Sequence, residues 1–410
     1  MGKQKRRKQL TQAMQFILLL GIVSLLSDMT HEGASGIRGA YLALLGASAA
    51  TIGFVSGLGE LVGYGLRFLF GRLTDKTKQY WTLTIVGYAI DVLAVPALAL
   101  VHEDGWIWAC ALLILERVGK AIKKPAKNTI LSFAASQEGV GRSFAIQEAL
   151  DQIGAFLGPL MLYVVLLFQK SGTYDAYRLC FAVLAIPAVL TMAALLFAKK
   201  RFPNPEAFEP EPPADAKFRP RPSFVLYLAA IGLFAFGFLD FSLITMHVAR
   251  SGMLADASLP LLYAGAMLAD AVSALFFGRL FDRIGFRTLI VSTLLSASFA
   301  LFVFGFNATW ATILGVLLWG VGMGAQESIL KAAVATMVPK NSRAAGYGVF
   351  ELSFGVCWFL GSWLLGVLYD VSLPALIAVS IGAQLLSVPF FAISARRQRI
   401  EIAQDALPKA

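Results

Sequence analysis

Long apolar runs alternate with short polar stretches from one end of this chain to the other. A helix needs about 20 apolar residues to cross about 30 Å of hydrocarbon. Runs of that kind lie near 13–38, 47–70, 81–101, 106–123, 143–168 and 176–198, and again near 223–249, 257–278, 286–306, 308–330, 344–368 and 373–395. The pattern predicts an all-α polytopic membrane protein with twelve transmembrane helices in two pseudo-symmetric six-helix bundles. Its parts would be a basic tail (1–12), a first bundle (13–198), a linker (199–222), a second bundle (223–395) and a second tail (396–410).

Composition agrees with that solvent. Hydrophobic residues make up 58% of the 410, charged residues only 15%, and mean hydropathy is +0.70, whereas a soluble domain is about 45–50% apolar and about 25% charged. The linker is the exception. From Lys199 to Pro222 it mixes basic residues, acids and prolines, a composition that buries no core.

Lysine and arginine set the orientation. Only Lys170, Arg178 and Arg250 fall on the side opposite the tails. Arg38, Arg67, Arg117, Lys120 and Lys331 lie within or at the ends of spans, and the rest of the 35 basic residues cluster on the tail side. By the positive-inside rule both termini are expected in the cytoplasm, in a bacterial inner membrane. The net charge of +10 is mostly that orientation signal, and the run Lys3-Gln4-Lys5-Arg6-Arg7-Lys8 is topogenic rather than a nucleic-acid site. A basic start before an apolar run also resembles a secretory signal, but with eleven further spans an uncleaved first helix is expected. Cys110, Cys180 and Cys357 fall in separate spans with no metal-ligand spacing, so no disulfide, zinc or cofactor is assigned.

The two bundles repeat one another. Gly71-Arg72-Leu73-Thr74-Asp75-Lys76 after span 2 recurs as Gly278-Arg279-Leu280-Phe281-Asp282-Arg283 after span 8, read as the same tight charged turn. Glu148 and Phe156-Leu157-Gly158 in span 5 match Glu351 and Phe359-Leu360-Gly361 in span 11, while Asp28 with Arg38 in span 1 matches Asp240 with Arg250 in span 7. Internal repeats of this kind mark secondary transporters whose halves rock about a central site.

Twelve spans, a central linker and the Gly-x3-Asp-Lys/Arg loop in both halves resemble the major facilitator superfamily, over nearly the whole chain. The first loop departs from the pattern after Lys76, with Thr77 where a glycine is usual. The resemblance implies alternating access, with Gly71, Arg72, Asp75, Lys76, Gly278, Arg279, Asp282 and Arg283 forming cytoplasmic gate loops. It also implies that Asp75 and Asp282 cap or ion-pair with a neighbouring helix when that side is closed.

A charge at the centre of a membrane helix costs about 2.5–3.5 kcal/mol on insertion scales. Eleven acids nonetheless fall in spans: Asp28, Glu32, Glu60, Asp91, Glu116, Glu148, Asp151, Asp240, Asp270, Glu327 and Glu351. Arg117 with Lys120 and Glu148 with Asp151 are i,i+3 pairs at similar depth, which predicts a buried four-charge cluster between spans 4 and 5. Glu327 and Lys331 form an i,i+4 pair near Glu351. By resemblance, Arg117 followed by Gly119 is similar to the span-4 arginine-glycine motif tied to proton coupling.

In span 1, Gly21, Ser24, Asp28, His31, Glu32, Ser35, Arg38 and Gly39 recur every three or four residues, a polar stripe that predicts a cavity-lining helix. Asp28 would face its repeat partner Asp240 across the cavity, and Asp28, Glu32 and Asp240 are the candidate proton carriers. Ser24, His31, Arg38, Glu60, Asp91 and Asp270 complete the expected lining. Gly154-x3-Gly158-Pro159 in span 5 partly resembles the superfamily's antiporter motif and leans toward export.

The expected function is secondary active transport of a small solute, proton-coupled and working as a monomer. Excess acid favours a cationic or neutral amphipathic solute; Arg38 and Arg250 leave an organic anion open, as they do symport or uniport. Three histidines (His31, His102, His247) and no His-Glu-x-x-His or Gly-x-Ser-x-Gly pattern leave little for an enzyme. A non-transporting receptor or scaffold would need no carboxylates in a cavity.

Overall fold

The computed structural model describes residues 10–169, 172–208, 220–338 and 343–405. Among them twelve helices cross the molecule: α1 (Gln12–Leu44), α2 (Ala49–Thr77), α3 (Tyr80–Leu100), α4 (Trp106–Glu138), α5 (Val140–Phe168) and α6 (Thr173–Arg201), then α7 (Pro222–Ser251), α8 (Ser258–Ile284), α9 (Arg287–Phe304), α10 (Thr309–Leu330, continued by Lys331–Met337), α11 (Arg343–Val371) and α12 (Leu373–Asp405). Eleven are long and apolar enough to span a bilayer. The twelfth, α4, carries Glu116, Arg117, Lys120, Lys123, Lys124 and Lys127 on consecutive turns.

Several boundaries differ from those read in the sequence. Helix α4 does not end near 123 but runs through Pro125 to Glu138, because its lysines are good helix formers once partners neutralise them. Lys199–Arg201 stay helical at the end of α6, and α12 continues through the arginines of the second tail.

The repeated Gly-x3-Asp segments are not turns. Both are the last helical turns of α2 and α8, and the chain reverses afterwards, at Lys78 (φ 53°) and Gly285 (φ 59°). Glycine adopts that backbone at no cost, and Lys78 substitutes for it in the first copy. Arg72 stacks over Phe68 at 4.0 Å.

Two equivalent seams join the bundles. Helix α2 packs along α11 and α5 along α8, contacts that the repeat interchanges, since α8 corresponds to α2 and α11 to α5. The second half of α1 also lies against α7. A Cβ at Gly39 would fall 1.7 Å from Ser242 O, so only glycine allows that approach. Helix α7 is itself broken at Phe238–Asp240, where Asp240 caps the resumed helix by accepting from Ser242 N at 2.9 Å.

The start of the linker is docked rather than loose. Trp81 Nε1 donates to Phe202 O at 3.1 Å, Gln137 Nε2 donates to Phe208 O at 3.0 Å, and Phe208 stacks on Phe16. Positions 209–219 lie outside the described residues.

Candidate functional site

Between the bundles lies a cavity of about 190 Å³. Its two walls differ in chemistry. From the first bundle come His31, Glu32, Ser35 and Arg38 of α1, Glu60, Tyr64 and Arg67 of α2, and Arg117, Lys120 and Lys124 of α4. The second contributes Asp240 and Phe241 of α7, Tyr263 of α8, Trp319, Met323, Gln326 and Leu330 of α10, and Phe350, Glu351, Phe354 and Trp358 of α11. One wall is charged and the other mostly aromatic.

Charges on the first wall are cross-linked, which is what a low dielectric demands of them. Arg117 reaches Glu60 at 2.7 Å and Glu116 at 3.9 Å. His31 Nδ1 lies 2.5 Å from Glu116 Oε1, while its Nε2 lies 2.9 Å from Lys120 Nζ; this suits the neutral tautomer with its proton on Nδ1. Further toward the tail-side face the same two helices continue the pattern. Lys123 donates to Ser27 and Asp91, and Lys127 donates to Ser24 and lies 4.0 Å from Asp151. The polar stripe of α1 is therefore matched, turn by turn, by a cationic stripe on α4.

Two contacts cross from one bundle to the other on the far side of the cavity. Tyr263 OH donates to Glu32, and Arg38 reaches Asp240 at 3.5 Å and Ser242 Oγ at 3.0 Å. Beyond them, Arg250 lies 3.9 Å from Asp370 and donates to Ala47 O, and Ala50 N donates to Asp370 at 3.1 Å. The face opposite the tails is closed by these groups and by Gly39. From there the cavity extends toward the tail-side face, where Arg67 lies 3.5 Å from Glu351.

The sequence-derived candidates divide accordingly. Glu32, Asp240, His31, Arg38, Glu60, Arg117, Lys120 and Glu351 line the cavity. Asp28 does not; it is half-buried, and its charged neighbours are Asp151, Lys120, Lys123 and Glu32 of its own bundle, so it does not face Asp240. Ser24 and Asp91 also lie outside the lining, engaged by Lys127 and Lys123. Asp270 is buried against α10, where its backbone oxygen would be 2.2 Å from a Cβ on Gly324.

The expected four-charge cluster is corrected. Glu148 is exposed and among the described residues accepts only from Gln152 at 3.4 Å; on α5 it is Asp151 that approaches α4, 4.0 Å from Lys127, while Gln147 donates to Ile17 O of α1. Arg117 turns to α2, not α5. The side chains of Glu327 and Lys331 lie outside the described residues.

Lys123, Lys127 and Glu116 were missed or underrated. The signal was present: continued at helical spacing past 123, the α4 sequence aligns its lysines with Ser24, Ser27 and His31. One atom each of His31, Asp91 and Glu116 lies within 4.8 Å of the others, the spacing of a cation site, but the ammonium groups of Lys120 and Lys123 already supply the positive charge there.

Twelve helices, two bundles related by a repeat and a charged cavity between them define a membrane transporter of the two-bundle class. The Major Facilitator Superfamily model matches residues 9–264 and 241–406, and the chain belongs to that family, whose members are transporters and not enzymes. An uncharacterized protein of Mycobacterium tuberculosis is 42% identical over 389 residues, 93% of each chain. An uncharacterized MFS-type transporter of Methanocaldococcus jannaschii is 25% identical over 379 residues, covering 90% of this chain and 92% of its own. Among solved structures, a bacterial homolog of the human lysosomal transporter Spinster, inward-facing and unoccupied, superposes with a TM-score of 0.69 at 14% identity, covering 94% of this chain and 96% of that one.

Proposed function

We propose that this secondary transporter is proton-coupled and moves a small amphipathic solute by alternating access, with Glu32 and Asp240 as the coupling carboxylates. The observation that carries the reading is their place. Each is a cavity-wall carboxylate that accepts a hydrogen bond or ion pair from the opposite bundle, Glu32 from Tyr263 and Asp240 from Arg38. A proton on either acid removes the acceptor charge and weakens the bridge that holds the far face shut. Proton binding then biases the equilibrium between the two closures, which is the differential affinity that coupling requires.

The Lys and Arg distribution supports a cytoplasmic location for both tails in a bacterial inner membrane, so that the closed face is the outer one. The lean to proton antiport rests on the partial resemblance of Gly154-x3-Gly158-Pro159 to the superfamily's antiporter motif; these glycines bring α5 against the backbone of α1, where added Cβ atoms would lie 2.3 Å from Leu25 O and 2.2 Å from Met29 O. A lean toward cationic solutes is not supported by the wall itself. Glu60, Asp240 and Glu351 each have an arginine partner, and the lining carries five lysines and arginines to four acids.

The test is a pair of neutral isosteres in proteoliposomes. Glu32→Gln and Asp240→Asn should each abolish solute movement driven by a pH gradient while leaving solute exchange within about threefold of the parent, a difference of about 0.65 kcal/mol. Undiminished gradient-driven transport by both variants would remove these two residues from the coupling step.

A further inference from the structure

Two buried donors on the aromatic wall have nothing to donate to. Trp358 is 5% exposed and Gln326 7% exposed, both line the cavity, and among the described residues neither Trp358 Nε1 nor Gln326 Nε2 has a hydrogen-bond partner. Buried donors are normally satisfied, and leaving one empty is costly. An indole N–H only donates, and so does the amide nitrogen, so both call for an acceptor brought in from outside. Gln326 moreover opens a π-helical segment, Gln326–Leu330, a distortion often retained at binding sites because it re-aims a side chain.

The opposite wall adds charge of the matching sign. Lys120 Nζ is bonded to His31, and among the described residues no carboxylate lies within 4.0 Å of it. Its ammonium charge is thus not neutralised by a direct ion pair, unlike Arg117 and Arg38. Trp319, Phe354 and Tyr263 supply flat apolar surface beside these groups. The cavity, about 190 Å³, is a little larger than the roughly 150 Å³ that accepts a benzene ring.

We infer that the cavity recognises an organic anion with a flat ring, its ring on the aromatic wall and its anionic oxygens accepting from Trp358 Nε1, Gln326 Nε2 and Lys120. This rests on the cavity being the transport site, and it names the substrate class for that site. Solutes without an acceptor would leave the donors empty, and a site built to donate rejects such analogues strongly; a neutral acceptor would satisfy the two N–H groups but leave the Lys120 charge uncompensated, and a cation would add to it.

Benzenesulfonate is the probe, because it stays ionised at every working pH and crosses lipid poorly. Purified full-length protein should show a concentration-dependent rise in melting temperature with benzenesulfonate, a much smaller one with methanesulfonate, which lacks the ring, and none with benzyltrimethylammonium. Trp358→Phe keeps the ring and removes the donor, and Gln326→Leu removes the second donor; each should weaken benzenesulfonate about tenfold. No rise with benzenesulfonate, an equal rise with benzyltrimethylammonium, or parental affinity in both variants would overturn the inference. Benzenesulfonate binding without benzenesulfonate-driven proton movement in proteoliposomes would leave this subsite standing and count against proton coupling alone. Proton movement driven by benzyltrimethylammonium and not by benzenesulfonate would do the reverse.

Discussion

At the residue scale, what separates the carboxylates is which bundle their partners belong to. Asp28 has all its charged neighbours in the first bundle, so its protonation changes nothing between the bundles, whereas Glu32 one turn further is bonded across to Tyr263. Asp28→Asn should therefore keep gradient-driven transport, the reverse of what mid-membrane position in the sequence suggests, and should lower the melting temperature instead. Loss of coupling in Asp28→Asn with retained exchange would show that the proton path runs through α1 and α4. A second residue-level test concerns Arg117. Arg117→Ala takes the guanidinium away from both Glu60 and Glu116 and should cost about 3–5 kcal/mol, while Arg117→Ala with Glu60→Ala should cost less. Folded yield and melting temperature compare the two; a double variant no better than the single would mean that Glu60 is not the partner that matters.

At the element scale, the polar stripe of α1 was legible and its neighbour was not. Spacing of three and four residues identified Ser24, Asp28, His31, Glu32, Ser35 and Arg38 as one face, but a stripe that wide meets two environments. Its far part, from His31 to Arg38, lines the cavity, and its tail-side part is zipped to α4. Hydropathy ended α4 at its lysines, since a scale that scores each residue alone cannot see that Ser24, Ser27 and Asp91 wait for them. The repeated Gly-x3-Asp segments were found correctly as a repeat and misplaced as turns, because glycine and aspartate suit both a turn and a helix end. In α5, Gly158 has no room for a side chain against Met29 O. Gly158→Ala should cost at least about 1–3 kcal/mol by overpacking, read as reduced folded yield in detergent, and an unchanged yield would mean that α5 rests further from α1.

At the scale of the whole molecule, two faces cannot be closed by the same contacts at once. The face opposite the tails is shut here by Gly39 against Ser242, by Arg38 with Asp240 and by the Arg250, Asp370 and Ala50 group, and every one of these joins one bundle to the other or supports a contact that does. The seams of α2 with α11 and α5 with α8 are interchanged by the repeat, so a rotation that opens the far ends of both closes their tail-side ends by the same geometry. Spin labels at Ala40 and Ser251 should accordingly report a short distance in this state and a longer one in the alternative, and labels at Thr129 and Thr336, near the tail-side face, should change in the opposite sense. Benzenesulfonate and pH act only through different affinities for the two states, so they should alter the weights of the two distances and leave the distances themselves fixed. Lowering the pH should raise the weight of the longer Ala40–Ser251 distance, because protonated Glu32 and Asp240 no longer hold the bridges, and Glu32→Gln with Asp240→Asn should show that weight at every pH. One distance per pair under all conditions would rule out this rocking motion, and a pH response that survives in the double variant would assign the proton to another group.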